Sequence, residues 1–426
     1  MLKKIYKNIH YILILFYIIT PIEIMFINYF KLPNFVFWYM PNFIAMIVGL
    51  YEILINIKKY KRKEYILIGI LILISIISSI FAKNTSNSFI GKNTCHDSFI
   101  TFISYLGFFC CSTKLKDKNK LMVISKAFTI TATILSILTL TKLDIIYKFF
   151  LIPKDTYYFY KGPFSFFNQF GAYLLYASII SIFIFFYEKD SKKKILYFII
   201  NCILIFTLVL NDTFGAFLSF AGTLFLLIIY CIKYKKYILK VSIILLIFII
   251  SCLTASRDGF NLVKRNFSLL SDDFTAVESV NDKNISKEEK QNKINSIGTN
   301  RGALWINGVK YIIKKPIFGY GYENIVYEYN KDKIEGAKPH NRYLEIAQNT
   351  GIISLIIYVI LVVLIIKKSI KKLKNISREK LASLFFIIAY LSNAVFAITF
   401  FNTNAYFYIA LGILAQYYYK GEKYAK

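Results

Sequence analysis

Histidine is almost missing from this chain, with three residues in 426. No HExxH, no histidine cluster and no DxD pair occurs, so the donor sets that hold catalytic metal ions are lacking. The nearest acidic doublet, Asp272–Asp273 in SDDF, suits a helix cap better than a metal site. No metal and no cofactor is therefore expected. Cysteine forms no framework either. Cys110, Cys111, Cys202, Cys231 and Cys252 lie in or at apolar runs, and Cys95 stands alone in a predicted outer loop. With no CxxC spacing, all six serve as small apolar fillers. Acidic residues are scarce, 24 against 53 lysines and arginines. No internal repeat suggests a two-halved transporter.

Apolar sequence is abundant. Hydrophobic residues make up 57% of the chain and mean hydropathy is +0.52. A soluble domain of this size does not keep so much apolar surface from water, so the solvent implied is lipid. A span needs about 20 largely uncharged residues, and twelve stretches qualify: 9–30, 34–56, 64–82, 97–113, 121–141, 166–187, 194–211, 214–232, 237–253, 351–367, 380–400 and 404–420. The predicted fold class is an all-α polytopic membrane protein. The first span follows Lys3, Lys4 and Lys7 as a signal peptide would, yet it lacks a small-residue cleavage site and runs long, which predicts a retained anchor. Within it, Glu23 follows Pro21, a kink that could supply the carboxylate with a partner.

The net charge of +29 does not mark a nucleic-acid binder. With a cytoplasmic N-terminus, the inside segments carry 30 basic residues and the short outside loops seven. That asymmetry is the positive-inside signature, with attraction to anionic head groups. It predicts a multi-pass membrane protein with both termini on the cytoplasmic side. The chain divides into 1–160, 161–253, a long outer loop at 254–350 and 351–426.

The outer loop holds the chemistry. Residues 257–298 are polar, and SVNDKNISKEEKQNKINS (279–296) has a flexible composition. In 299–350, Trp305, Val309, Ile312 and Ile313 recur at helical spacing until Pro316. GYG at 319–321 permits a sharp turn. A second short helix is predicted after Pro339, with Tyr343, Leu344 and Ala347 on one face and Gly351 as the break. Arg301 opens the first helix; His340 and Arg342 open the second. Arginine forks beside helix N-termini suit an anion such as phosphate, and histidine suits proton transfer near neutral pH. Each residue also has a structural explanation: Arg342 can pair with Glu345 three residues on, and His10 and His96 suit structural roles. A second outer loop, 142–165, runs into YKGPFSFFNQFGAYL (160–174), which places Asn168 and Gln169 at the mouth of a span. Amides there either join helices or meet a polar substrate.

The ordered set Arg301, Trp305, Pro316, Gly319, Gly321, His340, Asn341, Leu344 and Gly351 resembles the C-terminal region of the O-antigen ligase and O-antigen polymerase superfamily. GPFSFFNQFGAYL (162–174) resembles the same family's segment leading into a span, so the likeness covers about residues 160–420. The resemblance implies a metal-independent membrane glycosyltransferase fold. It implies transfer of a polyprenyl-diphosphate-linked glycan to an acceptor hydroxyl on the extracytoplasmic face, the acceptor being a lipid-linked repeat unit (polymerase) or lipid A–core (ligase). By the same resemblance Arg301 holds the donor diphosphate, and His340 assists the acceptor hydroxyl or holds the pyrophosphate. Many ligases carry a second arginine where this chain has Phe214, in NDTFGAFL (211–218). Lys161, Arg257, Arg265 and Arg342 are the cations that could replace it. Asn341, Trp305, Tyr320, Tyr322 and Asn168 are candidate substrate contacts. The rival from another class is a transporter or flippase for lipid-linked oligosaccharide, which calls for charges near the bilayer midplane.

Overall fold

The computed structural model describes residues 2–31, 35–60, 62–91, 97–154, 160–257, 259–280, 286–334, 336, 338–371, 373–397 and 401–416. Cys95 and His96 lie outside them. The first half is helical throughout: α1 Leu2–Phe30, α2 Phe35–Tyr60, α3 Lys63–Ile80, α4 Thr85–Ile90, α5 Phe99–Thr113, α6 Lys118–Thr141, α7 Asp144–Phe150, α8 Phe167–Tyr187, α9 Ser191–Leu210, α10 Phe214–Lys233 and α11 Ile238–Thr254. A two-residue antiparallel ribbon follows, β1 Ser256–Arg257 on β2 Phe260–Asn261. Helices resume as α12 Leu262–Val280, α13 Lys287–Asn300, α14 Gly302–Lys314, α15 Val326–Lys331, α16 Arg342–Thr350, α17 Ile352–Ile370, α18 Arg378–Asn393 and α19 Phe401–Leu414.

Each of the twelve predicted spans falls on one of these helices. Among the described residues, seven helices are long and apolar enough to cross a membrane, in α1, α3, α6, α8, α9, α10 and α17. Pro41–Ile57, Phe99–Thr113, Ile238–Thr254 and Thr403–Leu414 are apolar but shorter. The outward faces are greasy: Leu239 is 76% exposed, Leu253 73% and Leu73 57%. Such faces suit lipid and not water. The chain is an all-α, multi-pass membrane protein.

Helix α8 is the axis of the bundle. Its apolar residues run all the way round, and Phe170, Tyr173, Leu174, Leu175, Ala177 and Ile182 are fully buried. A helix apolar on every side has to be enclosed, and α6, α9, α10, α18 and α19 enclose it. Hydroxyls inside the spans turn back on their own helices. Thr129, Thr133, Thr139 and Thr207 each donate to the carbonyl four residues earlier, which keeps their polar atoms satisfied without water. Helix α5 meets α2 almost backbone to backbone: a Cβ on Gly107 would lie 1.9 Å from the Ala45 carbonyl oxygen.

Between α11 and α17 the chain builds a cap on one end of the bundle, here the loop end. Its polar first part differs from the expectation of a flexible stretch. Residues 287–300 are helical, because Ser286 and Glu289 form a reciprocal capping box. The acidic doublet does not cap α12 but lies inside it. Asp273 instead accepts from the Gly298 amide at 3.0 Å, tying α12 to α13. As expected, α14 stops before Pro316, and Gly319, Gly321 and Gly351 take positive φ values of 67°, 85° and 86°. Helix α14 turns Leu304, Gly308 and Tyr311 inward. The predicted stripe of Trp305, Val309, Ile312 and Ile313 instead faces Leu344 and Ala347 across an open hollow of about 450 Å³.

Candidate active site

Arg301 sits at the joint where α13 ends and α14 begins. Its backbone is right-handed (φ −91°, ψ −14°), and its amide still bonds back to Ile297. Gly302 makes the joint possible, since a Cβ there would lie 1.9 Å from the Ile294 oxygen. The guanidinium reaches across to the turn after α18, where Nη1 donates to the Phe396 carbonyl at 2.6 Å. Burial pulls its pKa down, which for an arginine still leaves a cation.

The turn 338–341 is fastened to the same neighbours. The Trp305 indole N–H donates to the Pro339 carbonyl at 2.8 Å, tying α14 to the turn. The Arg342 amide donates to Ala394 at 2.8 Å, two residues from the carbonyl that holds Arg301. Between them stands His340, a non-glycine residue at φ +52°. Such a conformation costs about 1–3 kcal/mol and persists only where its surroundings impose it. The imidazole Nδ1 is buried, with no hydrogen-bond partner among the described residues. Burial first, and the Arg301 charge second, press its pKa down to about 4. The imidazole is therefore neutral at pH 7 and close enough to Arg301 to feel its charge.

The expectation of free amides at the start of α16 fails, for a local reason. Asn341 caps the helix, its side-chain oxygen accepting from the amides of Tyr343 at 3.0 Å and Leu344 at 3.1 Å. With the Arg342 amide on Ala394, all three first donors are taken. Arg342 itself is fully buried in a four-charge network. Its Nη1 lies 3.3 Å from Asp97 and 3.2 Å from Glu345; Lys338 lies 2.9 Å from Asp97 and 2.6 Å from Glu345. The predicted i,i+3 pair with Glu345 is present. Two cations and two carboxylates balance, and removing one partner would leave a buried charge, a cost of about 3–5 kcal/mol. Sequence reasoning missed Asp97 and Lys338. Asp97 carried a signal nonetheless: it is an acidic residue at the head of a span, where few acids occur.

The remaining candidates sit apart from this pair. Tyr320 donates to the Tyr311 carbonyl at 3.3 Å, and Tyr322 bonds Ser75 at 3.0 Å inside the bundle. Lys161 is half-buried, which lowers its pKa. Asn168 is half-buried in the first turn of α8. Glu23 leaves its Oε2 buried and without a partner among the described residues. Arg257 and Arg265 do converge, on Asp212, two residues before Phe214. Their Nη2 atoms lie 2.8 Å and 2.5 Å from its Oδ2, and Asn266 donates to Oδ1 at 3.3 Å. Phe214 packs its ring on Phe396, whose carbonyl holds Arg301, with centroids 6.5 Å apart. The second arginine is thus absent by position, while two arginines gather beside the gap.

No curated protein matches the chain. Residues 199–359 match a family model described as O-antigen ligase. That segment runs from α9 into α17 and contains Arg301, His340 and the Asp212 cluster. The match covers less than half of the chain, and over those residues the protein is similar to that family, which supports the resemblance to the O-antigen ligase and polymerase superfamily.

Proposed function

We propose that this protein is a glycosyltransferase of surface-polysaccharide assembly. It acts at the extracytoplasmic face of the bacterial cytoplasmic membrane, moving a glycan from a polyprenyl diphosphate to an acceptor hydroxyl. The observation that carries this is the pairing of a half-buried guanidinium, Arg301, with a neutral imidazole, His340, whose buried Nδ1 has no hydrogen-bond partner among the described residues, on one end of a membrane bundle. The acceptor oxygen attacks the anomeric carbon while the bond from that carbon to the diphosphate oxygen breaks. His340 receives the acceptor's proton, and Arg301 stabilises the charge that collects on the departing diphosphate. A pKa near 4 makes a weak base in the empty site. The donor's own negative charge raises that pKa, so the imidazole gains basicity when a donor is bound. No step calls for a metal ion. Trp305 and Asn341 line the hollow beside the pair, where an aromatic face and an amide suit a sugar. The acceptor is a second lipid-linked repeat unit or a lipid A–core sugar.

The test is His340→Asn and Arg301→Ala in a strain that depends on this gene for surface polymer. Asparagine tolerates the left-handed backbone better than most residues, so the first variant should insert and fold. Both should abolish long polymer while membrane levels hold. Normal polymer length in both would end the proposal.

A further inference from the structure

We propose that the donor's lipid tail lies in a groove between α9 and α11, with its diphosphate against the arginine pair at Asp212. This rests on the donor being a polyprenyl diphosphate, as argued above. The groove has a volume of about 400 Å³ and is walled by Leu140, Phe198, Phe206, Leu246, Ile250 and Thr254. Its hydroxyls are already used: Ser251 and Thr254 donate to carbonyls of their own helix at 2.8 Å and 2.7 Å. The groove is thus apolar, and it opens sideways to lipid, with Phe198, Leu246 and Ile250 exposed by 40%, 57% and 50%. Along α11 it runs from Ile243 to Thr254, about 16 Å at the helical rise. One leaflet's hydrocarbon is about 15 Å deep.

The loop end of the groove is cationic. Three residues beyond Thr254 comes Arg257, its guanidinium 5.3 Å from the Tyr160 ring centroid; Lys142 covers the same ring at 5.0 Å. Arg257 and Arg265 both meet Asp212, so two guanidiniums share one carboxylate. The Arg257 Nη1 is buried, with no hydrogen-bond partner among the described residues. Thr213 leaves the start of α10 without a side-chain cap. An apolar slot one leaflet deep, ending at a positive cluster with an unspent donor, is complementary to a lipid with a diphosphate head. Through Phe214 and Phe396 the cluster adjoins Arg301, so the head would be gripped from both sides.

Full-length protein in phosphatidylcholine nanodiscs, probed with undecaprenyl diphosphate by native mass spectrometry, tests this. Ile250→Trp plugs the groove; Arg257→Ala and Arg257→Lys alter the head site; Val309→Trp plugs the competing hollow beside α14. Ile250→Trp and Arg257→Ala should weaken binding at least about tenfold, Arg257→Lys less, and Val309→Trp not at all. Inorganic diphosphate should respond to residue 257 alone. Wild-type affinity in Ile250→Trp, or a loss confined to Val309→Trp, overturns the placement. So does phosphatidylglycerol binding as tightly as undecaprenyl diphosphate. If Arg257→Ala fails to fold, Ile250→Trp with Arg257→Lys decides. Glycan transfer by a wild type whose Ile250→Trp variant binds normally removes the groove and leaves the activity. A wild type that neither binds the lipid nor transfers removes both.

Discussion

His340 combines a strained backbone, a lonely Nδ1 and a guanidinium neighbour, and its titration follows from that setting. The unfolded chain protonates a histidine near 6.5, whereas the native site resists until about pH 4. Protons therefore favour the unfolded state between those values, and this residue's contribution to stability falls as pH drops from about 6.5 to 4. Above that window the contribution is constant. Reactivity of His340 toward diethylpyrocarbonate, which needs the neutral ring, should persist down to about pH 4 in the empty protein. Arg301→Gln removes the like charge and should move that midpoint upward. A midpoint near 6.5 in the parent protein would contradict the buried setting. At this scale the sequence was legible where partners are near one another in the chain. KPHNR and the i,i+3 pair Arg342–Glu345 could be seen; Asp97, which lies 245 residues before Arg342, could not. Likewise Asp212 looked like a break between two spans, and nothing local showed it gathering Arg257 and Arg265.

Helices were the most readable elements, because long apolar runs bounded by lysines permit little else in lipid. What composition hid was order imposed by caps. Residues 287–300 are polar enough to suggest disorder, yet Ser286 and Glu289 set a helix start. The α14 stripe was read correctly as helical, while nothing in it showed that Gly308 lets α14 press against Gln348 of α16 and so turns that face inward. The same logic of small residues governs α2 and α5. Gly107→Val should force those helices apart, lowering stability in detergent by about 1–3 kcal/mol or more by the cost of overpacking. Thermal unfolding of the purified variant measures it, and an unchanged midpoint would mean that the helices are not held at that spacing. Gly222, which meets nothing within 4 Å, supplies the control, since a methyl there should be tolerated.

Over the whole molecule, basic residues sort the bundle's ends. Lys114 pairs with Glu52 at 2.9 Å and Lys368 with Glu64, both at the end opposite the cap. If positive charge fixes orientation, a reporter that is active only outside the membrane should be active when fused at residue 270 and silent when fused after residue 235 or 375. The opposite pattern would put Arg301 and His340 in the cytoplasm and remove the proposed donor. The all-α, multi-pass architecture was thus written in composition. The convergence of 301, 340 and 396 was not, because it depends on how α13, α14, α16 and α18 dock.

Arg301 is moored to a peptide oxygen and not to a carboxylate. No side-chain exchange at 396 can delete that oxygen, so the tether survives drift in the residue that supplies it. Because the tether is uncharged, it leaves the guanidinium's full positive charge for an incoming anion. Variation at 396 should then be tuned to the ring of Phe214 and not to electrostatics, which makes the shape of one turn, and no single letter of code, the keeper of the cation.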